Sequence, residues 1–251
     1  MKRFLFFLCA FIFSLCTFSS TFAGHFFVGA GGGADFPYFT QNNQLMITRN
    51  AAAHSDLLST HALSTDGYFS ADLGYQFRVT DAQWINLFFE YDQFGNRTVN
   101  GTRYDIYTAG PVPPELINAF SFQLRRRAFL FGLKGDLFKW HDVLPYVEAG
   151  VGVAQNQFLN FSNSDLSNLA MNNLPNNTNT NACYVVGAGL DWLPIPNWML
   201  SAGYRFGYWG QVKSGVQTQA LSGAGPLPTP IQWISKFYSN QALLKVTYLF
   251  N

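Results

Sequence analysis

Charged residues are scarce in this chain of 251 residues, where Asp, Glu, Lys and Arg together make up 12% of the sequence. Soluble globular proteins carry about 25%. The 15 basic and 14 acidic residues nearly balance, and a nucleic-acid-binding surface needs a basic excess, so we expect no nucleic acid partner. Hydrophobic residues still make up 48% and aromatic residues 18%. That content drives collapse and excludes a disordered chain.

Cysteine is nearly absent, and its placement depends on how the N-terminus is read. Lys2 and Arg3 precede an apolar run at 4–13, and the small-x-small tripeptide at 21–23 follows. This pattern is typical of a cleaved signal peptide, and the run is shorter than the ~20 residues of a membrane anchor. We therefore predict a signal peptide over 1–23 and one barrel domain over 24–251. Cys183 would then be the sole cysteine, which excludes an internal disulfide.

Long apolar runs are missing after residue 23, where no stretch reaches the length of a membrane-spanning helix. Strict alternation of apolar and polar residues recurs instead, which indicates β-strands. Two further segments alternate less regularly, so we predict eight strands. The regular segments are 67–78, 84–94, 145–156, 182–193, 198–212 and 241–250, and the others are 25–33 and 120–137.

Alternation alone also fits a soluble sandwich or a lipocalin, but three details favour a membrane barrel. The apolar face of each predicted strand lacks charge, and aromatic residues gather at its ends, as in an aromatic girdle. The opposite face is rich in glycine with sparse charges, which suits a narrow polar interior. These aromatic residues are Phe77, Tyr91, Trp192, Tyr208, Tyr248 and Phe250.

The links between predicted strands alternate in length without exception. The links at 79–83, 138–143 and 194–197 are short, whereas those at 34–66, 95–119, 159–181 and 213–233 are long. Bacterial outer-membrane barrels have short periplasmic turns and long extracellular loops. We therefore predict an eight-stranded up-and-down antiparallel barrel with periplasmic termini and four extracellular loops. Ten shorter strands would also fit the available length.

Several short motifs resemble the small outer-membrane β-barrel family, which includes the opacity-type surface antigens and the barrel of outer membrane protein A. They are VGAGGG at 28–33, PYVEAGVGV at 145–153, AGYRF at 202–206 and the closing YLF at 248–250. The resemblance implies a barrel in the bacterial outer membrane. It also implies that the last strand, with Val246, Tyr248 and Phe250, is a signal for the barrel-assembly machinery.

The polar parity of the predicted strands places ten charged side chains inside the barrel. At eight strands the interior is just wide enough for side chains to fill, and unpaired buried charges are costly. We expect layered ion pairs with Arg205 as the bridge, low conductance, and a higher conductance for Arg205→Ala. The ten residues are Asp72, Glu90, Asp92, Arg126, Lys134, Asp136, Glu148, Asp191, Arg205 and Lys245.

The sole basic cluster, at 125–127, divides between the two faces of its strand. Arg125 and Arg127 share the outward parity, above the apolar band, while Arg126 points inward. Outward arginines at that height could contact lipopolysaccharide phosphates, which arginine binds bidentately. A bulge near Leu124 would reverse this assignment.

Serine, histidine and aspartate residues of the kinds that hydrolases use occur in the chain, but without the spacing of a catalytic site. The segment at 54–56 reads His-Ser-Asp, His61 lies near Ser64 and Asp66, and His141 with Asp142 falls in a predicted turn. Adjacency in sequence is not the geometry of a triad, and no set of residues has metal-ligand spacing. We expect no enzyme activity and no cofactor.

These observations favour a surface protein that acts through its loops as an antigen or adhesin, or that stabilises the envelope. Its partners would be outer-membrane lipids and a host or phage surface ligand. A narrow porin is the alternative hypothesis, and a lipid-modifying barrel enzyme is the third.

Overall fold

Antiparallel pairing of neighbouring strands builds almost all of the described chain. The computed structural model describes residues 24–40, 43–49, 52–60, 63–80, 83–107, 115–163, 174–219 and 226–250. The predicted signal peptide at 1–23 lies outside these ranges. Within them, no helix is long and apolar enough to cross a membrane.

Eight long strands close into a barrel, which confirms the predicted fold. They are β1 (Gly24–Phe39), β4 (Asp66–Thr80), β5 (Gln83–Phe94), β7 (Glu115–Asp136), β8 (Val143–Asn163), β9 (Asn177–Ile195), β10 (Trp198–Lys213) and β13 (Ile234–Phe250), numbered along the chain together with the shorter strands described below. The order around the barrel is β1-β4-β5-β7-β8-β9-β10-β13, and β13 pairs with β1 from Phe26 opposite Phe250 to Phe39 opposite Phe237. Every pairing is antiparallel, and these eight strands complete the closed circuit, so the ten-strand alternative is wrong.

Shorter strands extend the barrel wall on the side away from the turns, where the sequence predicted loops. β2 (Asn43–Arg49), β3 (Ala52–Thr60) and β6 (Arg97–Tyr107) continue the paths of β1, β4 and β5, and they form the order β2-β3-β6-β7. β11 (Gln217–Gln219) and β12 (Pro226–Ile231) pair as a separate ribbon. The predicted loops at 34–66 and 95–119 are therefore largely strand.

The three short connections lie where the sequence placed them, at 81–82, 137–142 and 196–197. Two of them use a residue in the left-handed region, His141 with φ 57° and Asn197 with φ 68°. A tight reversal requires such a backbone, and asparagine and histidine adopt it more readily than most residues. Both ends of the barrel domain lie on this side.

The outward face of the barrel is apolar on every side. Leu244 is 69% exposed, Val151 63% and Leu73 61%, and such a continuous apolar surface needs a non-aqueous environment. A row of tyrosine rings starts at its upper edge and follows the strand pairing across adjacent tilted strands toward the middle of the band, with Tyr208 and Tyr238 separated by 4.9 Å between centroids. The row consists of Tyr38, Tyr184, Tyr208 and Tyr238.

A second aromatic row borders the turn side, where the ring centroids of Trp198 and Tyr248 are 5.2 Å apart. Tyr238 and Tyr248 both face outward on β13 and mark the two rows. Ten residue steps span about 34 Å along a strand and about 26 Å along the axis of a barrel tilted by ~40°. That height matches the ~25 Å apolar band of outer-membrane barrels.

The orientation can be tested with epitope tags. We expect a tag inserted within 164–173 to be reached by antibody on intact cells, because the link between β8 and β9 lies opposite the turns. A tag at 196–197 should be reached only after permeabilisation. The converse labelling pattern would contradict the orientation.

Candidate functional site in the barrel interior

All ten charged side chains that the sequence placed inside the barrel are buried in its interior. Each lies on the inward parity of a barrel strand, because alternate residues of a strand point to opposite faces. Arg205, Asp92 and Asp191 have no exposed side-chain surface. The interior is therefore charged at mid-height although the chain as a whole carries few charges.

Arg205 on β10 is the centre of an ion-pair network, as expected from the sequence. Its Nη1 donates to Glu90 Oε1 and its Nη2 donates to Asp92 Oδ2 at 3.0 Å. Its Nε donates to Gln241 Oε1 at 2.8 Å. The three nitrogens of one planar guanidinium thus contact three side chains on two other strands, which lysine could not do.

Lys245 on β13 extends the network toward the turn side. Its Nζ lies 2.6 Å from Glu90 Oε2 and 3.3 Å from Asp72 Oδ2. A Cβ at Gly29 would collide with the Asp72 carboxylate. The glycine on β1 therefore provides the space in which this ion pair forms.

Gln241 and Asp35 extend the network toward the opposite end. Gln241 Nε2 donates to Asp35 Oδ1 at 3.1 Å, and Arg126 Nη2 donates to Asp35 Oδ2 at 2.7 Å. One continuous chain of polar contacts now joins β1, β4, β5, β7, β10 and β13. Such cross-links between strands that are not neighbours hold the barrel wall together across its lumen.

Lys134 forms a second ion pair, with its Nζ 2.5 Å from Asp191 Oδ2 and 4.2 Å from the Tyr146 ring centroid. Asp136 and Glu148 depart from the prediction. No basic side chain in the described residues forms an ion pair with either of them, because Lys134 and Lys245 are directed to other carboxylates. The expected pairing of all ten charges is therefore wrong for these two.

A small cavity accompanies the unpaired Glu148. It measures about 20 Å³ and is also lined by Asp72, Lys134 and Lys245. A polar cavity of this size has room for about one water molecule. One water molecule in this cavity would hydrate the Glu148 carboxylate, which would let Glu148 stay inside without a partner of opposite charge.

Two members of the network were missed by the sequence analysis. Asp35 was assigned to the first long loop, and Gln241 was recognised as inward but carries no charge. The available signal for Asp35 was parity, since it continues the inward positions of β1 at Gly29, Gly31 and Gly33. The β1–β13 pairing extends past it to Phe39.

A layer of aromatic side chains fills the barrel above the ion pairs. Arg126 connects the two layers, since its Cζ lies 3.4 Å from the Phe94 ring centroid, 4.8 Å from Trp209 and 4.7 Å from Phe237. These are cation–π distances. The buried rings of this aromatic layer are Tyr68, Phe94, Phe120, Phe122, Phe158, Phe161, Trp209, Trp233 and Phe237.

Trp209 is the largest fully buried side chain of this aromatic layer. Its Nε1 donates to Ser239 Oγ at 2.7 Å. Gly210 follows with φ 80°, at a shift in the register between β10 and β13. The glycine permits this backbone because it lacks a Cβ, and the bulge lets β10 change parity directly after the tryptophan.

The arginine cluster divides as the alternation indicated: Arg125 and Arg127 are exposed and Arg126 is buried. Parity runs unbroken from Phe120 to Asp136 on β7, so the alternative of a reversing bulge near Leu124 is wrong. Leu124 and Phe122 instead face inward and join the aromatic cluster. The register shift between β7 and β8 lies between Ser121 and Gln123.

The residues of hydrolytic type do not assemble into a site in the described part of the chain. The side chains of His54, Ser55 and Asp56 and the whole of His61 lie outside the described residues. Ser64 is exposed. Asp66 accepts a hydrogen bond from the backbone N–H of Gly67 and lies 3.7 Å from Arg97, and His141 and Asp142 are in the predicted turn. No group of three or more potential metal ligands occurs among the described residues.

The three residues of the predicted assembly signal lie on the strand that closes the barrel. Val246, Tyr248 and Phe250 all face outward on β13. Their recognition by the assembly machinery stays a prediction.

No protein-family model and no curated protein sequence matches this chain. A solved structure does: the outer membrane protease OmpT from Escherichia coli matches with a TM-score of 0.51 and 8% identity, over 92% of this chain and 99% of that chain. The chain has the fold of a bacterial outer-membrane β-barrel. Neisserial surface protein A matches with a TM-score of 0.40 and 15% identity, over 91% and 99% of the two chains. The attachment invasion locus protein Ail of Yersinia pestis matches with 0.42 and 12%, over 90% and 99%.

In this outer-membrane barrel the interior combines two layers with different chemistry. The ion pairs hold the wall at mid-height, and the aromatic side chains exclude water above them. Neither layer offers an open polar path through the described residues.

Proposed function

We propose that this protein is a closed outer-membrane barrel that acts through its extracellular strands and loops, as a surface antigen or adhesin or by stabilising the envelope. The aromatic layer above the ion pairs is the observation that carries this proposal. A pore needs a continuous column of water, and the buried rings of the aromatic layer fill the lumen where that water would pass. The narrow porin becomes the alternative that a conductance measurement tests.

The extended wall supports a role at the cell surface. β2, β3, β6 and the outer part of β7 continue the sheet beyond the apolar band, where they would project from the membrane. β2 lies at the end of the sheet order, and β12 of the same chain lies close to it. The outer strands and the ribbon of β11 and β12 are the surface that a partner at the cell surface would meet.

Conductance in planar bilayers separates the closed barrel from the porin. We expect no steady channel from the refolded wild-type protein. Arg205→Ala alone should raise conductance little, because the aromatic layer still closes the lumen above it. The double variant Arg205→Ala, Trp209→Ala should conduct more than either single variant, since it removes side-chain volume from both layers.

Heat-dependent mobility on gels provides the control that each variant has refolded into a barrel. Large, steady channels from wild type would contradict the closed lumen and favour the porin. Equal conductance in Arg205→Ala and in the double variant would show that the aromatic layer contributes nothing to closure.

We further propose that the protein has no hydrolytic activity. Replacement of His54, Ser55 and His61 together by alanine should leave lipid A composition and surface proteolysis unchanged in cells that express the protein. Mass spectrometry of extracted lipid A and cleavage of a fluorescent peptide measure the two activities. A loss of either activity in the variant would favour the enzyme reading.

A further inference from the structure

A cleft opens on the outer face of the barrel wall, where β5 ends and β6 begins. β5 last pairs with β7 at Gln93 opposite Arg127, and pairing resumes at Arg97 of β6 opposite Leu124. Three residues on one side therefore face two on the other, and the extra residue interrupts the wall as a bulge does. The outer cleft measures about 250 Å³, and its lining includes Gln93, Asn96, Arg125, Arg127, Gln155 and Gln157.

The chemistry of the outer cleft is suited to an anion. Three arginines line it with amides and no carboxylate. The Arg126 guanidinium is directed into the lumen, so those of Arg125 and Arg127 are the ones on the outer face. In the part of the chain that the structure describes, neither Arg125 nor Arg127 forms an ion pair with an acidic residue. The two arginines are two positions apart on one face of β7, about 7 Å along the strand.

Hydrogen bonds to neighbouring groups hold the side chains of Arg127 and Gln93 in place. Arg127 Nε donates to Gln155 Oε1 at 2.8 Å, and among the described residues its terminal nitrogens have no acceptor. Gln93 Oε1 accepts from the Tyr91 hydroxyl at 2.7 Å, and Gln93 Nε2 donates to the Phe94 carbonyl at 3.0 Å. The remaining fork of the guanidinium matches the bidentate geometry that binds phosphate.

The height of the outer cleft indicates which anion it would meet. On β7 the outward residues directly below Arg127 are Phe129 and Phe131, which are part of the apolar surface. Phe131 contacts Phe89 with centroids 4.9 Å apart, and Phe129 contacts Tyr91 at 5.0 Å. These outward rings form an aromatic column that ends at the arginines, just as the acyl chains of a lipid end at its charged headgroup.

We propose that the outer cleft binds the phosphate group of a phosphorylated glycolipid in the outer leaflet, with the acyl chains lying along the aromatic column below. This inference rests on the membrane position in the proposed function. Arg127 would hold the phosphate through its terminal nitrogens, and Arg125 would contribute the second charge.

The test uses wild-type protein refolded in an uncharged detergent and titrated with bisphosphorylated lipid A, dephosphorylated lipid A or inorganic phosphate, with native mass spectrometry as the readout. We expect wild type to bind the bisphosphorylated lipid at least about tenfold more tightly than the dephosphorylated one, since charge-assisted hydrogen bonds from arginine to phosphate are about twice as strong as neutral ones. Arg125→Gln with Arg127→Gln should lose that preference. The control, Lys139→Gln with Lys236→Gln, removes two exposed charges outside the outer cleft and should retain it.

Equal binding of the two lipids by wild type, or equal affinity in the two double variants, would overturn the proposal. If inorganic phosphate displaced the bisphosphorylated lipid at equal concentration, free phosphate and not a lipid would be the ligand of the outer cleft, which would overturn the proposal. Insertion into uncharged phosphatidylcholine vesicles separates this result from the proposed function: a barrel that inserts without lipid A preference contradicts the outer cleft alone, and one that never inserts contradicts both.

Discussion

Arg205→Ala should lower the free energy of unfolding by about 3–5 kcal/mol, because removal of one partner from a buried ion pair leaves uncompensated charge. Among the described residues, Asp92 then has no ion-pair partner and Glu90 keeps Lys245. Gln241 Oε1 loses its donor as well. Urea unfolding in lipid vesicles, followed by tryptophan fluorescence, measures the change.

Two further variants separate the loss of charge from the loss of packing. Arg205→Lys keeps the charge but cannot contact three acceptors with one planar group, so it should lose less stability than alanine. Adding Asp92→Asn to Arg205→Ala removes one carboxylate that would otherwise be buried without its partner, and it should restore part of the lost free energy of unfolding. A loss below about 1 kcal/mol for Arg205→Ala would mean that the ion pairs contribute as little as surface pairs do.

Val151→Arg should cost about 2–4 kcal/mol in a bilayer, because an outward charge near the midplane of an outer-membrane barrel is destabilising by that amount. Val151 faces outward on β8 and pairs with Phe131 and Tyr184 on the neighbouring strands. The same unfolding measurement in vesicles gives the difference.

The matched control places the same charge above the apolar band. Thr178 also faces outward, on β9 opposite Gln157, and Thr178→Arg should cost about 0–1 kcal/mol because destabilisation falls near the interface. Equal effects at the two positions would contradict a membrane-embedded outer face, since a soluble barrel tolerates an outward arginine at either one.

The alternation of the sequence was sufficient to predict the barrel, its turns and its inward charges. A strand repeats every two residues, so the assignment of Asp72 or Lys245 to the interior needs no knowledge of its neighbours. The same rule separated Arg126 from Arg125 and Arg127. It failed at strand ends, where Asp35, Phe161 and Trp233 fell in predicted loops although all three side chains are buried in the lumen.

Parity states which face a side chain occupies, and local sequence by itself therefore determined the fold class, the apolar outer band and the charged lumen of this protein. The partners were decided by the tertiary structure alone. Arg205 meets Glu90 and Asp92 because closure of the barrel brings β10 across the lumen from β5, and the aromatic layer forms where six strands extend together beyond the band. Neither the Arg205 contacts nor the aromatic layer is encoded within one strand, since both depend on the register between strands that only the closed barrel establishes.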